Sequence, residues 1–252
     1  MKIQYGFTLV EMAVVLVIIG LLIGGFIISL PVQMDIRNIK VTQERLEEIK
    51  EALIGFAIIN GYLPCPALDE NGEAANYETS DKLICKTYDQ SDGYLPWIDL
   101  GVGRYDGLGN PFRYRVDGKF SNQETGEFSI ANPPKNEQAL EVRDRGGSSL
   151  SSFDPDLPAN EGSYVVAIIF SCGKNGRPDP TPPTPGIMIG GKRHSNDADG
   201  TRNSDALCTN AVVNRDLYID DVYVEDHFDD VLVWLPKTIL INRLVVAGKW
   251  PS

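Results

Sequence analysis

Two features near the start of the chain have the makings of joint chemistry. One is the Gly6-Phe7 peptide bond, which follows a short segment containing Lys2. The other is Glu11, the only ionisable side chain between Phe7 and Leu30. Hydrolysis of Gly6-Phe7 would create an ammonium four residues upstream of Glu11. That cation, from the same or a neighbouring chain, would neutralise the carboxylate in apolar surroundings. An acid within a bilayer costs about 2.5–3.5 kcal/mol at the midplane and less near an end, so it calls for a partner. Gly6, Phe7 and Glu11 read as a device for joining chains.

Three other groups have residue types that could carry chemistry. Cys65, Cys85, Cys172 and Cys208 are an even set with no Cys-x-x-Cys spacing, which favours disulfides in an oxidising compartment over zinc. Of the three pairings, Cys65–Cys85 with Cys172–Cys208 is favoured, because each bond closes a polar, turn-rich segment. Asp197, Asp199 and Asp205, with nearby asparagines, gather hard oxygen donors of the kind calcium takes. Their spacing is not that of an EF-hand, and a solvated turn is the simpler reading. His194 and His227 sit in no nucleophile motif, and Gly101-Val102-Gly103 lacks the third glycine of a dinucleotide loop. Neither an enzyme nor a resident cofactor is expected.

The elements that must position these groups follow from periodicity. Residues 7–30 are long enough, at about 1.5 Å per residue, to cross a hydrocarbon core of roughly 30 Å. Gly24-Gly25 is a weak point within that helix. Beyond Pro31, Ile39, Leu46, Ile49, Leu53 and Phe56 share one helical face, and Glu44, Glu47, Glu48 and Glu51 lie mostly on the other. Gly61 and Pro64 end this second stretch, residues 31–60. Residues 61–252 then suffice for one head with a sizeable core. Strands are expected at Phe112–Val116, Phe128–Ala131, Tyr164–Phe170, Leu217–Val224 and Val231–Trp234. A closing helix after Pro236 would bury Ile239, Leu240, Leu244 and Val245 or Val246. Asp220, Asp221, Glu225, Asp226, Asp229 and Asp230 are expected to face solvent on strand edges. The net charge of −12 lies outside the apolar segment and repels phosphates, so nucleic acid is a poor partner.

With Gly6-Phe7-Thr8-Leu9-Val10-Glu11-Met12 and its apolar run in view, the start of the chain resembles type IV prepilins and type II secretion pseudopilins. Asp106-Gly107-Leu108-Gly109-Asn110-Pro111-Phe112-Arg113-Tyr114 also resembles the Asp-x-Trp-Gly-x-Pro-x-x-Tyr segment of pseudopilins, with Leu108 in place of tryptophan. Leu63-Pro64-Cys65-Pro66, Leu95-Pro96-Trp97 and the tail from Phe228 to Gly248 look like parts of large pilin-like proteins. The resemblance implies a leader, residues 1–6, removed by a prepilin peptidase that then methylates Phe7. It implies an α+β fold in which a long N-terminal helix packs on a mainly antiparallel sheet. Implied too are a single pass through the inner membrane, a periplasmic head, an assembly platform and other pilin or pseudopilin subunits as partners. Calcium at Asp197, Asp199 and Asp205 gains slight support, because some pseudopilins hold calcium in a head loop. The implied function is a subunit, minor rather than major, of a type II secretion pseudopilus or a type IV pilus. The alternative is an anchored adhesin or DNA-uptake receptor that does not polymerise.

Overall fold

A computed structural model describes residues 8–27, 30–75, 85, 92–121, 140–144, 148–151, 165–174, 188–189, 192–193, 217–220 and 230–249. Helix α1 spans Leu9–Ile27 and runs through Gly20, Gly24 and Gly25 without interruption. Helix α2 spans Leu30–Asn60. Pro31 sits in its first turn, where the missing N–H leaves no hydrogen bond unmade. At the far end Gly61 takes φ +82, and its N–H donates to the Ala57 carbonyl at 2.8 Å. A side chain would be strained there, so the helix stops.

The head is built on a four-stranded antiparallel sheet in the order β1-β2-β4-β8. Its strands are β1 (Asp92–Tyr94), β2 (Arg113–Val116), β4 (Val165–Ser171) and β8 (Val231–Pro236). One short helix, α3 (Trp97–Leu100), follows β1, and another, α4 (Lys237–Val246), follows β8. Strands β3 (Glu141–Arg143) and β7 (Leu217–Ile219) pair in parallel as a separate ribbon. A last antiparallel pair joins β5 (Met188–Ile189) to β6 (Lys192–Arg193).

Two cores lie on the two faces of the sheet. On one, Leu46, Ile49, Leu53, Ile54 and Ala57 of α2 meet Tyr114, Val116, Ala167, Ile169 and Leu235. On the other, Ile168, Phe170 and Leu232 pack with Leu140, Val142 and Tyr218 of the β3–β7 ribbon. Burial on both sides explains why every residue of β4 is apolar up to Ser171 and buried. The cystine Cys65–Cys85, with Cα atoms 5.8 Å apart, ties Cys85 to the segment leaving α2. Loop closure of this size stabilises by roughly 2–4 kcal/mol. Cys172 is also disulfide-bonded, and Cys208 lies outside the described residues.

Several sequence expectations need correction. Residues Arg113 to Val116 alternate in type but not in burial: all four are buried. The Arg113 guanidinium lies over the Tyr94 ring at 4.6 Å. In α4 only Leu240 and Leu244 are buried; Ile239, Val245 and Val246 are exposed, since the helix meets α2 along one narrow edge. Asp230, expected in solvent, is buried at the start of β8. Strand β7 is shorter than the expected Leu217–Val224, ending at Ile219. The strand expected at Phe128–Ala131 lies outside the described residues, as do Asp221, Glu225, Asp226 and Asp229.

Leu53 is fully buried between α2 and the sheet, whereas Ile59, two turns on, is largely exposed. Leu53→Ala should therefore lower stability by about 2–5 kcal/mol. Ile59→Ala should change it by no more than about 0.5 kcal/mol. Denaturant unfolding of the head signal checks both, and equal losses would contradict the packing described.

Candidate assembly site

Glu11 lies in the first turn of α1, and its carboxylate is held locally. Its Oε2 accepts from the Thr8 backbone N–H and from the Thr8 hydroxyl, both at 2.8 Å. In return the Glu11 N–H donates to Thr8 Oγ1 at 3.3 Å. This reciprocal pair is a capping box, in which the residue ahead of the helix and the third helical residue satisfy each other's amides. The Thr-x-x-Glu spacing was readable in the sequence, but Thr8 was absorbed there into the apolar run. The carboxylate therefore helps to start α1 and stays exposed at its end. Gly6 and Phe7 lie outside the described residues.

What surrounds this acid is apolar and uncovered. Every large apolar side chain from Leu9 to Leu21 is exposed, Leu16 at 70%. Among the described residues no helix is long and apolar enough to cross a membrane. Of the span read from the sequence, residues 7–30, residues 7, 28 and 29 lie outside the described residues.

A second construction joins α2 to the head. Asp106 is buried beside the helix, and its Oδ1 accepts from the Leu108 and Asn110 N–H groups at 2.8 Å each. Its Oδ2 accepts from the Ser171 hydroxyl at 2.5 Å, which locks the loop to the end of β4. Asn110 Nδ2 donates to the Gly173 carbonyl at 2.6 Å, adding a second tie. Gly109 takes φ +95, a turn that a side chain resists. Tyr114, at the end of the same segment, is buried among core side chains, and burial pushes its phenol well above the usual range.

Helix α2 reads the backbone of this loop. Arg45 Nη1 donates to the Tyr105 and Asp106 carbonyls at 2.7 and 2.8 Å. Thr42 Oγ1 accepts from the Gly107 N–H at 2.9 Å and donates to the Asn38 carbonyl at 2.9 Å. Gly107 presses so closely that an added Cβ would stand 2.2 Å from the Asn38 carbonyl oxygen. The Asp106–Tyr114 segment is thus an anchor for the helix rather than a ligand site. On the opposite side Arg104 pairs with Glu70, and the Ala74 N–H donates to Asp99 at 2.7 Å, holding the 66–75 segment against α3.

Asp197, Asp199 and Asp205 lie outside the described residues, and so do His194 and His227. Among the described residues no group of three or more His, Cys, Asp or Glu side chains is placed to hold a metal.

Residues 1–27 match the family model described as the prokaryotic N-terminal methylation motif. That motif is the hallmark of type IV pilins and pseudopilins. It supports a type IV pilin-like or pseudopilin-like protein, structural in character, processed by a prepilin peptidase and assembled with other pilin subunits. The match stops at residue 27 and leaves the head unassigned. No curated protein and no solved structure matches the chain.

Gly107→Ala should lower stability by roughly 1–3 kcal/mol through the forced retreat of the loop from α2. Gly103→Ala is the control, because nothing lies within 4 Å of a Cβ there. Thermal melts of the two variants make the comparison; a neutral Gly107→Ala would contradict the close approach.

Proposed function

We propose that this chain is a subunit of a periplasm-spanning or surface filament, a type II secretion pseudopilus or a type IV pilus. In this reading residues 7–30 hold it in the inner membrane, with the head in the periplasm, until assembly packs the same helix into the fibre core. The observation that carries the reading is the stretch of α1 from Leu9 to Leu21, uncovered and apolar with one acid in the first turn. Each large apolar side chain gains about 1.5–3 kcal/mol on leaving water, so α1 requires lipid or other helices around it. Ten such residues between Leu9 and Leu21 point the same way. A plain anchor would share that property and would use Glu11 to cap α1, but it would supply no second chain to pair with the Glu11 charge.

Removal of residues 1–6 would place the Phe7 ammonium next to the capping box. The Thr8 N–H belongs to the Phe7-Thr8 peptide, so the box survives cleavage at Gly6-Phe7. Glu11 would then meet a neighbour's ammonium in poorly hydrated surroundings, where opposite charges attract strongly and set the axial register. The large head with its disulfides suits a minor subunit better than a repetitive major one.

Glu11→Ala should insert into the membrane as well as the parent, because removing an acid from lipid carries no transfer penalty. Its recovery in sheared filaments, normalised to membrane-bound subunit, should fall at least about tenfold, as an unpaired ammonium in the core costs several kcal/mol. Glu11→Asp should fall between. Parental incorporation of Glu11→Ala would reject the assembly role and favour the non-polymerising anchor.

A further inference from the structure

The head's apolar grip on α2 begins at Ile39; of the described side chains before it, only Asp35 and Asn38 are even partly covered. Asp35 Oδ2 accepts from Lys174 Nζ at 2.6 Å, with the Asp35 side chain 15% exposed and that of Lys174 51%. Along α2, Asp35, Asn38, Thr42 and Arg45 are spaced three, four and three residues apart, so they form one stripe on the helix. All four meet two loops of the head, 105–107 and 171–174. Those loops are joined to each other by Asp106–Ser171 and Asn110–Gly173. Where the sheet ends, apolar contact is continued by polar contact.

We propose that this stripe is a polar clamp and that the Asp35–Lys174 pair is its latch, setting where along α2 the head's hold on the helix ends. With the latch closed the held portion begins at Asp35; with it open, at the next grip, around Asn38 and Ile39. That is one helical turn. With Lys174 about half in solvent, this ion pair yields more readily to a change of surroundings than the buried contacts from Leu46 to Ala57 do. The latch can therefore open while the head stays folded. If the filament reading is right, the latch decides how much of the helix is free to adjust when it passes from lipid to fibre.

Amide hydrogen exchange on the full chain in detergent micelles tests the latch without reading filaments, so its failure and that of the filament reading are separable. Asp35→Asn and Lys174→Met should each speed exchange of the amides at 34–38 by about two- to fivefold, the population shift a partly exposed pair supports. Exchange at 46–57 should not change. Asp35→Lys combined with Lys174→Asp should restore slow exchange at 34–38. Unchanged exchange at 34–38 in both single variants would overturn the proposal. So would an equal rise at 46–57, which would mean a loosened head, or failure of the charge swap to restore protection.

Discussion

The contact between α2 and one face of the β1-β2-β4-β8 sheet supports the rest of the head. Leu46, Ile49, Leu53, Ile54 and Ala57 lose nearly all exposure there, and Leu235, Leu240 and Leu244 close around them. The same helix must then leave the head and continue toward a segment with the opposite requirement. From Leu9 to Leu21 the large apolar side chains of α1 have no head to cover them. Helices α1 and α2 thus meet different requirements, and on α2 the head's apolar cover begins at Ile39.

Polar chemistry manages that boundary. The Asp106 carboxylate uses both oxygens to hold its own loop and the end of β4. This presents the Gly107 amide and the Tyr105 and Asp106 carbonyls to Thr42 and Arg45. Buried polar groups are stable only when partnered, so such a junction favours one arrangement of loop and helix over others. At the start of α1 the Thr8–Glu11 box does a local version of the same work. The acid completes the helix start in the single chain, and its position at that end is what makes it available to a second chain.

Much of this was legible in the sequence for identifiable reasons. The α2 stripe at Ile39, Leu46, Ile49 and Leu53 follows the helical period, and each of these residues is buried. The run from Val165 to Phe170 is continuous because both faces of β4 are covered, a pattern that needs no knowledge of the covering elements. What was not legible depends on distant chain. The burial of Arg113 and Arg115 in β2 is one such feature, because it depends on elements distant in the chain that pack on the same face of the sheet. Ile239, Val245 and Val246 fit a buried stripe by period, but the extent of the α2–α4 contact decides burial, and no local pattern encodes it. Thr42, an unremarkable polar residue by sequence, became visible as a contact only once Gly107 was placed against it.

The most direct test of the account is the identity of the first residue in the assembled protein. Fibres sheared from cells would be purified and the N-terminal peptide of this chain measured by mass spectrometry. The account requires the chain to be recovered with the fibres and to begin at an N-methylated Phe7. Recovery only in the membrane fraction, an intact Met1, or a start beyond Leu30 would each contradict it.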